Sequence, residues 1–211
     1  MTPKAIVLLS GGIDSATVLW WAKKKDWETY ALTFKYGDWN SNEVNSAKRL
    51  VKKCDVEKHF IIDVNFLKQI SELKQRKPNI PLIYIPSRNT IFFGIASHFA
   101  EIYGINYIVT GHSFTDSFPD SKPKYVKAIN VALNYGSWLG KIYKTKIIMP
   151  LSKLDKTGIL KLALKLKVPL ELTWSCHKNI KVACCKCNGC VSRLETFEKF
   201  GMKNSMYYKS T

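Results

Sequence analysis

Acidic residues are scarce in this chain: 16 Asp and Glu stand against 33 Lys and Arg in 211 residues, a formal net charge of +17. Such a balance draws anionic partners, either nucleic acid or small polyanions. No arginine-rich or aromatic-interleaved stretch marks a nucleic-acid module, so the lysines read first as a solvated surface and nucleic acid is not favoured. No apolar run is long enough to span a bilayer, which excludes a helical membrane protein. Met1-Thr2-Pro3-Lys4 passes straight into a β-prone segment with no secretory hydrophobic region, so a cytoplasmic protein is expected. Neither the G-x-x-x-x-G-K-[ST] phosphate loop nor the dinucleotide G-x-G-x-x-G is present. There is no internal repeat and no low-complexity linker.

What is present starts at the amino end. An apolar run, Ala5 to Leu9, feeds into Ser10-Gly11-Gly12-Ile13-Asp14-Ser15, and a helical pattern follows from Ala16 to Lys25. Adjacent glycines let the backbone turn sharply and come close to a ligand. Amides at a helix N-terminus favour an anion, and Ser10 and Ser15 add hydroxyl donors for phosphate oxygens. Asp14 is the unusual member: a carboxylate beside phosphates makes sense where a cation such as Mg²⁺ bridges them. An ordinary strand–turn–helix with an Asp/Ser cap is the competing reading of the same residues.

Strand and helix patterns alternate along the chain. Strands are expected at Ala5–Leu9, Thr29–Phe34, His59–Val64, Tyr107–Thr110 and Lys146–Met149. Helices are expected at Asn42–Lys53, Arg88–Tyr103, Lys124–Leu139, Asp155–Leu166 with Asp155 as N-cap, and Val191–Phe200. This alternation predicts an α/β fold, a five-stranded, mainly parallel sheet sandwiched by helices, with ligands at the carboxyl ends of the strands. The Ser10–Ser15 turn, the turn Tyr36-Gly37-Asp38 and the Gly111–Asp120 loop all lie at such ends. Residues 71–87 carry three prolines and no clean period, and read as a loop that forms part of a substrate wall.

Five of the six cysteines fall between Cys176 and Cys190. In a chain with no export signal this clustering points to metal rather than disulfides. Cys184, Cys187 and Cys190 are spaced in steps of three, and Cys176 supplies a fourth sulfur, which makes a closed, structural Zn²⁺ site. Cys185 is the spare, and a set with Cys185 in place of Cys184 is the alternative; His177 is a weaker candidate, and an iron–sulfur cluster is the other metal that the spacing allows. Cys54, inside a helical pattern, reads as a core or surface thiol. The expected division is a nucleotide-binding α/β domain over 1–170 and a four-cysteine, zinc-binding helical segment over 171–211 packed on it.

The phosphate turn and the four cysteines together resemble the PP-loop ATP pyrophosphatases, and more narrowly the 7-cyano-7-deazaguanine synthase family of queuosine and archaeosine biosynthesis. The likeness covers almost the whole chain. Ser10-Gly11-Gly12-Ile13-Asp14-Ser15 matches the family's SGG-[IL]-DS. Tyr36-Gly37 with Glu43 resembles its YGQ-x3-E, although Asp38 and Asn40-Ser41-Asn42 depart from it. Ile85-Pro86-Ser87-Arg88-Asn89 matches VP-x-RN, Asp116 with Phe118-Pro119-Asp120-Ser121-Lys122-Pro123 resembles D…YPDCRP, and Thr173-Trp174-Ser175-Cys176 opens the zinc element. Ser121-Lys122 replaces the family's Cys-Arg, the loop before Phe118 is shortened, and the first zinc spacing is one residue short.

The resemblance implies an adenine nucleotide alpha hydrolase-like, Rossmann-like fold and an ATP-dependent carbon–nitrogen ligase. Such an enzyme turns 7-carboxy-7-deazaguanine and ammonia into the 7-cyano base through an amide, with ATP, Mg²⁺ and one structural Zn²⁺. On that reading Ser10 to Ser15 (Ser10, Gly11, Gly12, Ile13, Asp14 and Ser15) hold the nucleotide, and Asp14, Arg88 and Asp120 are the catalytic candidates. Tyr36, Arg88, Asn89, Asp116, Phe118 and Asp120 are the substrate-binding candidates, Asp120 ahead of Asp116 as the acceptor for the base's N–H edge. A homodimer is left open. Two alternatives stay beside this one: a PP-loop enzyme that adenylates or thiolates a base in tRNA, and a related ligase acting on another deazapurine. A zinc-stabilised module that binds ATP or RNA without turnover is disfavoured by Asp14.

Overall fold

Residues of the first strand alternate in direction: Ala5, Val7 and Leu9 enter one core, Ile6 enters another, and all four are buried. A strand buried on both faces belongs inside a parallel sheet covered by helices on each side. The computed structural model describes residues 2–36, 38, 40–67, 80, 84–178 and 181–203. Its five strands are β1 (Lys4–Leu8), β2 (Glu28–Lys35), β3 (Lys58–Asp63), β4 (Tyr107–Val109) and β5 (Lys146–Ile148). They form one sheet in the order β3-β2-β1-β4-β5, and all four pairings are parallel. The strand order reverses between β1 and β4, which sets the ligand-binding crevice beyond the carboxyl ends of those two strands.

The helices are α1 (Ile13–Lys23), α2 (Ser41–Cys54), α3 (Arg88–Tyr103), α4 (Pro123–Tyr135), α5 (Gly140–Tyr143), α6 (Lys156–Lys165) and α7 (Asn188–Glu198). One core packs α1, α2, α6 and α7 on the sheet through Val18, Leu19, Leu50, Ile159, Leu160 and Phe197. The other packs α3 and α4 on the opposite face through Phe93, Ala96, Ala100 and Val126. Among the described residues no helix is long and apolar enough to cross a membrane.

Several boundaries differ from expectation, each for a local reason. Helix α1 begins at Ile13 rather than Ala16, capped by Gly12 without a side-chain bond, so Asp14 and Ser15 lie in its first turn. The pattern at 124–139 breaks after Tyr135, where Gly136 ends α4, and α5 is separate. Helix α7 starts at Asn188 rather than Val191, with Cys187 as its cap, which puts Cys190 on the helix. Asp155 caps α6 as expected, its Oδ1 accepting the Gly158 N–H at 2.7 Å. Cys54 is a buried thiol, and burial pushes its pKa up to about 11. Gly37 and most of the proline-bearing stretch 71–87 expected to wall the substrate (71–79 and 81–83) lie outside the described residues.

Candidate active site

The phosphate turn is built by close packing onto α2. Gly11 has φ +91°, and a Cβ there would lie 2.3 Å from the Glu43 carbonyl oxygen. Only glycine meets both demands. The Gly11 carbonyl accepts the Trp174 N–H at 2.9 Å, and the Ser46 hydroxyl lies 2.8 Å from it. Inside the turn, Ser15 Oγ donates to the Gly12 carbonyl at 3.0 Å and lies 3.1 Å from Ser10 Oγ. These contacts leave the α1 N-terminus facing open space, with the amides of its first turn available to an anion.

Asp14 is the charged centre. Its Oδ2 lies 2.6 Å from Lys156 Nζ, in the first turn of α6. Burial nonetheless wins and raises the carboxyl's pKa; Lys156 opposes the shift and the Asp116 charge adds to it. A half-buried carboxylate that opens on a cavity, and whose ionised form is under-compensated, is suited to a hard cation, so the residues present fit Mg²⁺ held beside a polyphosphate.

Two cavities open from this turn. The first, about 360 Å³, lies between it and the cysteine segment, with Lys156, Trp174, His177, Ser192, Arg193 and Thr196 in its wall. The second, about 320 Å³, lies over the strand ends, with Phe34, Tyr36, Arg88, Asn89, His112 and Asp116 in its wall. Ser10, Asp14, Ser15 and Glu43 line both. In the second cavity, burial lowers the pKa of the His112 imidazole and raises that of the Tyr36 phenol. The Asn89 Nδ2 is buried without a protein hydrogen-bond partner, an orphan donor in the wall of a ligand-sized space. Glu43, at the start of α2, has its carboxyl pushed up to about 7 by burial, against the opposing pull of the Asn40 side chain and of Arg88.

The structure thus brings Tyr36, Arg88, Asn89 and Asp116 together with the turn. Phe118 and Asp120 stand behind that wall. Phe118 stacks on Tyr84 at 5.9 Å and lies under the Arg88 guanidinium at 5.9 Å. Asp120 Oδ2 accepts the Asn89 backbone N–H at 3.1 Å, so it caps α3, while Asp116 Oδ2 accepts the Ser113 N–H at 2.7 Å. Three residues of the site carry no expectation from sequence: Lys156, Arg193 and Glu43 in a chemical role. Lys156 is one cation among 33, and its only sequence signal is its place just after the Asp155 cap. Arg193 is buried, donating to Thr173 Oγ1 at 2.7 Å and the Leu170 carbonyl at 2.9 Å.

The sulfurs of Cys176, Cys184, Cys187 and Cys190 all lie within 4.8 Å of one another. Tetrahedral zinc with Zn–S of about 2.3 Å places sulfurs ~3.8 Å apart, and Cys184 and Cys190 are 3.9 Å apart. Backbone N–H groups point at the sulfurs: His177 to Cys187, Lys178 and Cys184 to Cys176, and Cys187 to Cys184, each at 3.4 Å. Amide donors led by Lys186 hold the Cys184 thiol down to about 6. The donor set fits a structural Zn²⁺. Cys185 sits at φ +55°, exposed, with its sulfur toward the Ala183 carbonyl, so Cys184 is the member that joins the cluster. Helix α7 closes tightly over this segment: a Cβ on Gly189 would lie 2.1 Å from the Ser175 carbonyl oxygen.

Comparison with known proteins agrees with this architecture. In solved structures the chain is similar to a 4-thiouridine synthetase seen with RNA and bound ATP (TM-score 0.60, 22% identity, 93% of this chain and 50% of that one). It is also similar to an NMN synthetase from Francisella tularensis (TM-score 0.59, 16% identity, 97% and 79%). These likenesses speak to the fold. Among curated proteins it is 38% identical to the 7-cyano-7-deazaguanine synthase of Thermoplasma volcanium over 99% of this chain and 92% of that protein. It is 37% identical to that of Campylobacter jejuni over the full length of both. The model of the family described as queuosine biosynthesis protein QueC matches residues 4–201, so from the first strand to the end of its last described helix this chain belongs to the QueC family.

Proposed function

We infer that this chain is an ATP-dependent carbon–nitrogen ligase that converts 7-carboxy-7-deazaguanine and ammonia to 7-cyano-7-deazaguanine through an amide, in the cytoplasm. The observation that carries the reading is the pair of cavities meeting at one phosphate-binding turn in a chain of the QueC family. A ligase must hold a nucleotide and an acyl acceptor against each other, and that arrangement offers both places. On the same reading residues 1–170 form the nucleotide-binding domain and the stretch from 171 onward is a zinc-held segment packed on it.

A carboxylate does not react with ammonia until one oxygen is made a leaving group. The substrate carboxylate attacks the α-phosphorus of ATP, the bond to the β,γ-diphosphate breaks, and pyrophosphate leaves with its electron pair. Amides at the start of α1, the Ser10 and Ser15 hydroxyls and the Lys156 ammonium hold those phosphates. Asp14 would hold Mg²⁺, whose contribution when bound is charge neutralisation at the phosphates. Arg88 and the orphan Asn89 Nδ2 donate to oxygens of the substrate, and Asp116 presents an acceptor to its N–H edge. Ammonia then displaces AMP to give the amide. In a second activation the amide oxygen attacks the α-phosphorus of another ATP and pyrophosphate leaves; the nitrogen then gives up two protons to water as the C–O bond breaks, AMP leaves with the oxygen, and the nitrile forms. Zinc at Cys176, Cys184, Cys187 and Cys190 has no open position for substrate and acts through structure.

The test is incubation with ATP, Mg²⁺, ammonium and 7-carboxy-7-deazaguanine, followed by mass analysis. Amide and then nitrile are expected, and absence of both from zinc-loaded protein overturns the reading. Asp14→Asn is expected to lower turnover by about 100-fold or more. The pKa of Asp14 is raised on folding, so its ionised form costs stability near neutral pH, and the variant should unfold no earlier than the parent.

A further inference from the structure

Amide formation needs a proton acceptor. When ammonia adds to the activated acyl carbon the nitrogen becomes positively charged, and it must lose a proton before AMP departs cleanly. The charged and titratable groups around the two cavities can be taken in turn. Lys156, Arg88 and Arg193 are cations. Asp14 is bound to Lys156 and faces the phosphates. Asp116 accepts a backbone N–H through Oδ2. The His112 pKa is lowered by burial, which weakens it as a base, His177 lines the first cavity and not the second, and the Tyr36 phenol is driven further from ionisation.

Glu43 differs from all of these. It lies in the wall common to both cavities, where the activated carboxyl and the incoming amine must meet. Neither of the two ion pairs among the described residues uses its carboxyl. Its place is fixed to the phosphate turn by backbone: the Gly11 Cα sits so close to the Glu43 carbonyl that no side chain fits between them, and Ser46, one turn on, reaches the Gly11 carbonyl. Asn40, which orients the Glu43 carboxyl, is itself held by donating to the Phe34 carbonyl and accepting from the Tyr36 N–H, each at 2.9 Å.

We propose that Glu43 is a catalytic residue of the amidation, the base that takes the proton from the amine nitrogen as the C–N bond forms. The proposal rests on the ligase reading above. In the step, the lone pair of NH₃ forms the C–N bond and the acyl carbonyl opens to an oxyanion. One N–H proton passes to the Glu43 carboxylate; the carbonyl re-forms as the C–O bond to AMP breaks, and AMP leaves with that electron pair. Glu43 then returns its proton to water. Burial keeps this carboxyl near 7, which suits a base that works at neutral pH.

The experiment separates activation from amidation. Substrate-dependent exchange of labelled pyrophosphate into ATP, without ammonia, reports the first step; single-turnover amide formation reports the second. Glu43→Gln is expected to lower amide formation by ~100-fold or more while exchange changes by less than about threefold, and Glu43→Asp is expected to recover part of the loss. Amide formation at the parental rate in Glu43→Gln overturns the proposal, and so does an equal loss of both steps, which would make Glu43 a ligand-positioning group. A measurement on the unmodified protein needs no variant to fold. At constant free NH₃ across pH 5.5–8.5 (a window of about three units around the expected 7), amide formation should rise with pH along a single-proton limb; a flat profile overturns the assignment. Wild-type protein that supports neither exchange nor product removes the ligase reading itself, an outcome distinct from the other two.

Discussion

The phosphate turn and the cysteine knob are neighbours joined through Trp174, yet they are held in opposite ways. The turn is gripped by packing: Leu9, Ala16, Val18 and Leu19 around it are buried, and Gly11 presses against α2. Although Phe197 at the far end of α7 packs into the core of the body, the knob around the sulfurs has little core of its own among the described residues. Its buried cluster is Cys176, Ala183 and Cys190, with Trp174, Cys184 and Cys187 against it, so most of what it buries is sulfur. Packing and hydrogen bonds anchor α7 to the body, but the loop that carries the sulfurs buries so little apolar surface that its local order depends on a metal. The α/β body carries its ligand site as a by-product of a well-filled interior, whereas the knob's geometry depends on its sulfurs finding a common ion.

That contrast is open to attack from either side. The largest effect is expected from Cys187→Ser, which removes one of the four sulfurs while leaving a residue able to cap α7. Structural zinc is worth on the order of 10 kcal/mol in small peptides, so metal content should fall from about one per chain to near zero. The knob should become protease-sensitive while the sheet persists; zinc analysis and limited proteolysis report both, and an undiminished zinc content would sink the ligand assignment. Next is Gly11→Ala. A Cβ at that point meets backbone rather than a flexible side chain, and the positive φ adds strain, for a cost of roughly 3 kcal/mol or more. Urea unfolding should show it as a lower midpoint with zinc retained, and an unchanged midpoint would mean that α2 yields easily. The smallest effect is in acid. His59 on β3 lies 2.8 Å from Thr33 Oγ1, and burial lowers its pKa to about 4. Its contribution to stability is therefore intact above about 6.5, the unfolded value, and is lost as pH falls toward the folded one. His59→Gln should make stability of the body fall less steeply over that window, moving the acid midpoint by about a few tenths of a unit; an identical acid profile would show that His59 takes no part in acid unfolding.

Much of this was readable in the residues. Alternating strand and helix periods predicted the parallel sheet, and the Ser10–Ser15 turn and the cysteine spacing led to the two features that organise the site. What sequence could not supply was geometry between distant segments. Helix α1 begins at Ile13 because Gly12 caps it by backbone conformation alone, which leaves no Ser, Thr, Asn or Asp signal at the start. The choice between Cys184 and Cys185 turns on a left-handed backbone at Cys185 that directs its sulfur elsewhere. Lys156 meets Asp14 across a separation of 142 residues, and no local pattern marks that pairing among so many lysines. Glu43 stands in a recognisable motif, but its value as a base follows from two cavities meeting beside it, which is a property of the folded chain.

Trp174 ties these parts mechanically. Its main-chain N–H is bonded to Gly11 and its indole Nε1 donates to the carbonyl of Cys176 at 2.8 Å. One residue, through its main chain on one side and its ring on the other, therefore links the nucleotide cradle to the first sulfur ligand, and stripping the ion loosens the anchor on one side of that cradle. The same ring is an optical gauge of both occupancies: of the six tryptophans, its share of the emission, isolated as the difference from Trp174→Phe, should respond to chelator and to nucleotide alike.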